Sequence, residues 1–86
     1  MNFLWHDIAW LDYVEWQKDK NKLKRINNLI QDISRNGYNC IGKPEPLTGN
    51  KSGLWSVRID KKNRFIFKIE NEIVEIYQCG THYGDK

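Results

Sequence analysis

Residues 54–79, LWSVRIDKKNRFIFKIENEIVEIYQC, decide the fold because apolar side chains recur there at every second position. A period of two is typical of a strand with one buried face. Three segments are predicted strands: 54–59, 64–69 and 72–79. Asp60-Lys61-Lys62-Asn63 and Glu70-Asn71 lie between them and suit hairpin connections. The stretch therefore predicts three consecutive antiparallel strands.

Alternation also divides these side chains between the two faces of the sheet. One face receives Trp55, Val57, Ile59, Phe65, Phe67 and Ile69. The other face receives Ser56, Arg58, Arg64, Ile66 and Lys68. If the strands pair through the hairpin, three cations, Arg58, Arg64 and Lys68, can stand together on the second face. Such a face is costly unless solvent or an anion meets it.

Two helices are predicted before the strands. Phe3-Leu4-Trp5 reads as a short buried strand, and Asp7 is placed to cap a helix over roughly residues 8–19. A second helix, over roughly residues 21–36, ends at Asn36-Gly37 and carries an apolar stripe of Leu23, Ile26, Leu29, Ile30 and Ile33. The predicted order is β-α-α-β-β-β, an α+β fold with both helices on one face of a mostly antiparallel sheet.

The size and composition indicate one small domain. The 86 residues are expected to form a single domain over 1–86. No run of 18 apolar residues occurs, and the first residues lack the pattern of a secretory signal, so neither a membrane span nor export is expected. Two cysteines, Cys40 and Cys79, are too few for a disulfide framework. We therefore expect a cytoplasmic protein with reduced thiols.

The charges are distributed unevenly along the chain. Residues 20–68 carry twelve Lys and Arg against three Asp and Glu, an excess of +9. Residues 1–19 and 69–86 each carry four acids and one base. A basic middle between acidic ends indicates a polyanion as the partner. The alternative is that the cations simply form the solvated face of a helix.

Lys43-Pro44-Glu45-Pro46-Leu47 is the most unusual stretch of the sequence. Pro44 fixes its own φ, and Pro46 drives Glu45 toward extended geometry. The chain thus holds one carboxylate on a stiff tether beside a lysine. Glu45 is a candidate general base, and the alternative is a rigid loop with a solvated carboxylate.

RNA cleavage without a metal requires a base for the 2′-hydroxyl, a cation for the phosphoryl oxygens and an acid for the leaving oxygen. By residue type these roles suit Glu45, then Arg64 or Arg58, then His82, which can exchange a proton near neutral pH. Tyr83 can stack on a base or steer a phosphate. For His82 taken alone, an ordinary residue near a chain end is a strong alternative.

Other chemistries find little support in the sequence. Cys40, Cys79 and His82 show no paired ligand spacing, and no Gly-rich phosphate loop occurs, so we expect no metal and no cofactor. Cys79 and His82 fall on opposite faces of a strand, which argues against a Cys/His nucleophile pair. His6 has no companion motif and is expected to be structural or exposed.

Along nearly its whole length, the sequence resembles the YoeB (Txe) family within the RelE-like group. The blocks that carry the resemblance are Trp5, Trp10, Asp12-Tyr13, Trp16-Gln17, Lys24, Ile26-Asn27, Gly42-Lys43-Pro44-Glu45-Pro46-Leu47, Ser52-Gly53-Leu54-Trp55-Ser56, Arg58-Ile59, Asn63-Arg64, and Cys79 with His82-Tyr83. The proline-flanked Glu, the Gly-Leu-Trp-Ser strand entry and the His-Tyr pair are specific in combination.

The resemblance implies a toxin of a type II toxin–antitoxin pair with a RelE-like fold. Its activity would be ribosome-dependent cleavage of A-site mRNA, leaving a 2′,3′-cyclic phosphate. Carried over, the catalytic residues would be Glu45 as base, His82 as acid, Arg64 at the transition state and Tyr83 on the RNA. Arg58 would hold phosphate, and the cations Lys43, Lys51 and Lys68 are further candidates for RNA or phosphate contacts in this sequence. Partners would be a YefM-type antitoxin, the 30S A site with mRNA, and a second copy in a homodimer.

Three positions depart from the family pattern. Thr48-Gly49 precedes the nearest cation, Lys51, where relatives commonly have a basic residue sooner. Gly80 stands where a basic residue often follows the cysteine, and Gly84-Asp85-Lys86 extends past the His-Tyr pair. The alternative function is a non-catalytic toxin on the same fold that binds gyrase or the ribosome.

Overall fold

The computed structural model describes residues 1–80, which form two helices and one five-stranded sheet. In chain order the elements are β1 (Asn2–Trp5), α1 (Asp7–Trp16), α2 (Lys20–Asn36), β2 (Glu45–Pro46), β3 (Trp55–Arg58), β4 (Arg64–Glu70) and β5 (Ile73–Gly80). The strands are arranged β1-β5-β4-β3-β2 across the sheet. All neighbours are antiparallel except β1, which runs parallel to β5. The predicted α+β arrangement is confirmed, with β2 as an additional strand.

The helix boundaries differ from the prediction at the junction of the two helices. His6 occupies the N-cap position of α1, so Asp7 lies in the first turn instead of capping it. In that position its carboxylate still interacts favourably with the positive end of the helix dipole. α1 ends at Trp16, and Asp19 caps α2 by accepting a hydrogen bond from the Lys22 amide at 3.1 Å. The predicted aspartate cap is therefore wrong for α1, and one exists at α2.

The core lies between α2 and the inner face of the sheet. Ile26, Leu29 and Ile33 recur along one stripe of α2 and are fully buried. They join Val57, Phe65, Phe67, Val74, Ile76 and Cys79 from the strands in one apolar cluster. Burial of each large side chain contributes on the order of 1.5–3 kcal/mol. The face predicted to be apolar is thus the face that packs against the helices.

A β-bulge interrupts the pairing of β4 with β5. Ile66 is opposite Gln78 and Phe67 is opposite Ile76, so Tyr77 is the extra residue. The bulge lets Ile76 and Cys79 both reach the core despite lying three residues apart. The turn after β4 has positive φ at Asn71 (53°) and Glu72 (67°), which suits a two-residue hairpin.

Within residues 1–80, neither helix is long and apolar enough to cross a membrane.

Candidate functional site

Glu45 lies on an edge strand whose backbone is fixed at three places. Glu45 itself pairs with Ser56 on β3. Before it, the carbonyl of Gly42 accepts a hydrogen bond from the Arg58 amide at 2.9 Å, and after it the Leu47 amide donates to the Leu54 carbonyl at 2.8 Å. The sequence predicted a carboxylate on a stiff tether. The structure places that tether alongside β3, with the Glu45 side chain exposed.

Two prolines make this edge of the sheet unusual. Pro46 pairs with Trp55, and Pro44 precedes the strand. Because proline has no N–H, it is tolerated at a sheet edge and obstructs the addition of a further strand. The prolines therefore hinder the pairing of another strand with this edge, and the edge that carries Glu45 stays accessible to a ligand.

Arg58 and Arg64 are direct cross-strand partners at the ends of β3 and β4. Partners in an antiparallel pair share a face, and their neighbours Val57 and Phe65 belong to the core, so both arginines project from the face away from the helices. Like charges directly opposite each other are destabilising. This pair predicts an anion on the outer face, as the sequence suggested.

The floor beside these arginines is shielded from water. Glu45, Ser56, Ile66 and Gln78 are successive cross-strand partners and form one row on the same face. Within that row Ser56 is 6% exposed and Ile66 is 2% exposed. Interactions between charges strengthen where water is excluded. A phosphate held here would meet Glu45 and the arginines over a poorly solvated floor.

Arg64 is oriented by the turn that connects β3 to β4. Its Nη1 donates to the carbonyls of Asp60 at 2.7 Å, Lys61 at 3.1 Å and Asn63 at 3.3 Å. All the hydrogen bonds from its side chain to residues 1–80 use Nη1. Within that part of the chain, nothing accepts from the Nε and Nη2 donors of the guanidinium, and these donors suit a phosphate.

Arg58 is held differently, through its backbone. Its carbonyl accepts a hydrogen bond from Arg25 Nη2 at 2.9 Å, and its amide donates to Gly42. Arg25 thereby joins α2 to the strand that carries Arg58. The Arg58 side chain itself is exposed. It suits the binding of an incoming phosphate better than a fixed position at a reacting atom.

The three predicted lysines are separated by the structure. Lys43 adopts a positive φ of 55° in the loop that precedes Glu45, and Lys51 ends the single helical turn that follows, Gly49–Lys51. Lys68 shares the outer face but lies four residues from Arg64 along β4, about 13 Å away. Its Nζ lies 3.5 Å from Glu70 and 3.9 Å from Glu75. The Lys68 ammonium group is thus paired with carboxylates. Lys43 and Lys51 lie on either side of the strand that carries Glu45.

His82 and Tyr83, the predicted acid and its neighbour, lie outside the described residues. The strand that leads toward them is described as far as Gly80 and is fixed near its end. Trp16 Nε1 donates to the Cys79 carbonyl at 2.7 Å, and Gln78 Nε2 donates to the Gly80 carbonyl at 3.3 Å. These contacts set the position from which the chain continues.

The cysteines are placed as buried, reduced thiols. Burial raises the pKa of Cys79 to about 12, with a further contribution from the nearby Asp12 carboxylate. A thiol that stays protonated is a poor nucleophile. Across residues 1–80, no group of three or more His, Cys, Asp and Glu side chains could hold a metal ion.

Sequence reasoning missed one ionic cluster on the outer face. His6 Nε2 lies 2.7 Å from Glu75 Oε2, and the His6 ring contacts the Tyr77 ring with centroids 4.1 Å apart. Hydrogen bonding from His6 and the charge of Lys68 hold the pKa of Glu75 below its usual range, against a desolvation that raises it. The expectation of a structural or exposed His6 holds. Its partner lies 69 residues away, and no local motif signals such a contact.

Comparisons with known proteins agree on one family. The family model described as a YoeB-like toxin of a bacterial type II toxin-antitoxin system matches residues 5–83. Toxin YoeB of Escherichia coli K12 is 40% identical over 84 residues, which cover 96% of this chain and all of that protein. Toxin YoeB of Streptomyces coelicolor is 47% identical over 76 residues, covering 87% of this chain and 90% of that protein.

Solved structures show the same likeness. A YoeB/ParE toxin from Agrobacterium tumefaciens superposes with a TM-score of 0.91 at 37% identity, covering 96% of this chain and all of that one. Two Staphylococcus aureus structures, a heterotetrameric YoeB-YefM toxin-antitoxin complex and a YoeB dimer, give TM-scores of 0.89 and 0.87 at 36% identity. Each covers 96% of this chain and 98% of the other. The predicted RelE-like arrangement of helices and sheet is confirmed.

Proposed function

This chain belongs to the family of YoeB-like toxins of bacterial type II toxin–antitoxin systems, and on that premise we propose that it is a ribosome-dependent endoribonuclease. Its substrate is mRNA in the ribosomal A site, and cleavage stops translation. The reaction uses acid and base groups of the protein without a metal. The observation that carries the proposal is the placement of one carboxylate, Glu45, beside the arginine pair on the face of the sheet away from the helices.

The register supplies the spacing that the reaction needs. Glu45 is opposite Ser56, and Arg58 follows two residues later on β3. A diagonal neighbour of this kind lies about 7–8 Å away. That distance accommodates a phosphate bound by the arginine with the adjacent ribose reaching the carboxylate.

Each group has a defined role in the proposed reaction. Glu45 takes the proton from the 2′-hydroxyl, and the resulting oxygen attacks the neighbouring phosphorus. The bond from phosphorus to the 5′-oxygen breaks as His82 donates a proton to that oxygen. The products are a 2′,3′-cyclic phosphate and a 5′-hydroxyl end. Positioned proton transfer of this kind contributes about 10²–10⁴-fold to the rate.

The cations and Tyr83 hold and orient the RNA. Arg64 stabilises the charge that develops on the phosphoryl oxygens, an effect worth roughly 10²–10³-fold for one well-placed donor. Arg58 binds the phosphate, Lys43 and Lys51 extend the positive rim along the loop, and Tyr83 orients a base. Lys68 is omitted from this set because its ammonium group is engaged with Glu70 and Glu75.

The partners of the protein follow from the same premise. A YefM-type antitoxin neutralises it, and the S. aureus YoeB-YefM complex supports this assignment. The S. aureus YoeB dimer supports a homodimer for this chain. We further propose that residues 1–86 act as a single domain in the cytoplasm, where mRNA and ribosomes are found.

The test is cleavage of a defined mRNA on programmed ribosomes, with ends mapped by primer extension and the 3′ end assayed for a cyclic phosphate. Cuts confined to the A site, in the presence of ribosomes only, are the expected result. Ribosome binding with intact mRNA would refute cleavage and favour a non-catalytic toxin. Inhibition of DNA supercoiling with intact mRNA would identify gyrase as the target instead.

A further inference from the structure

One carboxylate, that of Asp60, organises the whole connection between β3 and β4. Its Oδ1 accepts hydrogen bonds from the amides of Lys62 at 2.9 Å and Asn63 at 2.7 Å. The Asn63 side-chain amide donates to both Asp60 oxygens at 3.0 Å. Lys22 Nζ of α2 lies 3.0 Å from Oδ2. Both carboxylate oxygens are therefore engaged, and the turn is anchored to a helix as well as closed on itself.

The backbone of the same turn holds Arg64. The three carbonyls that accept from Arg64 Nη1 belong to Asp60, Lys61 and Asn63, and the shortest of these bonds, 2.7 Å, is to Asp60 itself. Carbonyl positions in a turn depend on its backbone angles. The Asp60 carboxylate sets those angles through the Lys62 and Asn63 amides. It thereby determines where the Arg64 guanidinium can lie.

The carboxylate remains ionised in this environment. Partial burial opposes ionisation, but hydrogen bonds from Asn63, Lys22 and Lys62 outweigh it and hold the pKa of Asp60 well below its usual range. Hydrogen bonds to an ionised acceptor are roughly twice as strong as neutral ones. Without the hydrogen bonds to Asp60, a connection containing the adjacent cations Lys61 and Lys62 would have much less to define its shape.

We propose that Asp60 is a positioning residue for Arg64, which it places for phosphate by shaping the turn that holds Nη1. The inference rests on the proposed ribonuclease function and assigns to it a residue outside the catalytic set. Asp60 acts through Arg64 and does not touch the RNA. A catalytic donor displaced by about 1 Å can cost on the order of 10²-fold in rate, so the contribution of Asp60 is measurable.

The experiment is a double-mutant cycle in single-turnover cleavage at saturating ribosomes. Asp60→Ala is expected to lower the maximal rate by about 10-fold to 100-fold, with the apparent affinity for ribosomes changed by less than about twofold. Asp60→Asn should recover most of the rate, because one amide oxygen can still accept from the Lys62 and Asn63 amides. In an Arg64→Ala background, Asp60→Ala should add less than about a twofold loss, since the two residues act as a unit.

Lys22→Ala is the matched control, because it removes the ion pair to Asp60 and leaves the bonds inside the turn intact. It should retain the maximal rate. Circular dichroism and the thermal midpoint establish that each variant is folded. A rate unchanged by Asp60→Ala, or the same loss with and without Arg64, would overturn the proposal.

A second readout does not depend on cleavage. The guanidinium NMR signals of Arg64 should be resolved and slowly exchanging in the wild type and in Lys22→Ala, and averaged in Asp60→Ala. Resolved signals in Asp60→Ala would overturn the positioning role. If wild-type protein fails to cut mRNA on ribosomes, the proposed function is refuted, and these signals still decide whether Asp60 positions Arg64.

Discussion

Arg58 and Arg64 lie directly opposite one another on β3 and β4, at the end of the hairpin where the turn joins the two strands. Two cations in this arrangement repel each other, and the repulsion destabilises the folded protein. The sheet therefore carries a local cost that a bound phosphate would relieve. Stability and anion binding should be separable at this pair.

Arg58→Gln should stabilise the free protein by roughly 0.2–1 kcal/mol, because it removes the like-charge contact across the strands. The same change should weaken ribosome binding. It should also reduce the slope of log binding constant against log salt concentration by about the amount that one phosphate contact contributes. Urea unfolding and binding titrations over a range of salt concentrations measure the two effects. Lys24→Gln, which removes an exposed cation from α2, is the control and should not stabilise the protein. A destabilised Arg58→Gln would contradict the argument.

Glu45→Gln should reduce single-turnover mRNA cleavage by about 10²–10⁴-fold, because an amide of the same shape cannot take a proton from the 2′-hydroxyl. Unfolding midpoints should stay close to the wild type, since the Glu45 side chain is exposed. Glu72→Gln, an exposed carboxylate in the β4–β5 turn, serves as the control and should cleave normally. Wild-type cleavage by Glu45→Gln would eliminate Glu45 as the base.

Gly42→Ala should destabilise the protein by about 1–3 kcal/mol, since overpacking and an unfavourable φ combine at this site. A Cβ at Gly42 would lie 3.0 Å from Leu29 Cδ2 and 3.2 Å from Val57 Cβ, at a φ of 93°. Gly53→Ala is a matched control, because its φ of 98° is similar and nothing lies within 4 Å of its Cβ. Chemical unfolding of both variants gives the comparison. Equal losses would assign the whole effect to backbone strain.

Asp60 should make the free energy of unfolding depend on pH in the acidic range. Its pKa is lower in the folded protein than in the unfolded chain, so the unfolded chain binds the proton first as the pH falls. The stabilisation is therefore complete well above about pH 4, the ordinary range of an Asp, and is lost progressively below it. The difference in urea midpoint between wild type and Asp60→Asn should narrow as the pH falls from 7 to 3. A difference that widens toward low pH would show the opposite sign.

Cys79 should react with a thiol-specific reagent at least about 100-fold more slowly in the native protein than in denaturant, because it is fully buried and largely protonated at pH 8. A Cys40→Ala background isolates its signal. The rate of labelling is measured from the absorbance of the chromophore that the reagent releases when it reacts with the thiol. Rapid native labelling would mean that the end of β5 opens readily.

The fold was predictable where apolar spacing and turn residues agree, as in β3, β4, β5 and α2. The helix junction was misplaced because no Gly or Pro marks the end of α1 at Trp16, before Asp19 caps α2. The short strand at Glu45 could not be predicted, since two prolines argue against a strand and only its pairing with β3 creates one. In each case the missing information was a contact between distant segments.

The candidate site follows the same division. Alternation correctly placed Arg58, Arg64 and Lys68 on one face of the sheet. Residues on one face can still lie too far apart to form one site, as Lys68 does. Glu70 and Glu75 engage Lys68 at the far end of β4, and strand register alone brings Glu75 there. The hydrogen bonds from Arg64 to the backbone carbonyls of the turn could not be predicted either. Every residue has a backbone carbonyl, so the sequence does not mark which of them accept.

The parallel pairing of β1 with β5 has a consequence for the synthesis of the protein. Asn2 pairs with Ile73 and Trp5 with Ile76, so β1 must wait for β5 before it gains a neighbour. Contacts between such distant segments form late in folding, because a long loop must be closed first. A nascent chain that has not yet released β5 from the ribosome carries an incomplete sheet. The last step in the assembly of the sheet therefore takes place after the C-terminal strand has left the ribosome.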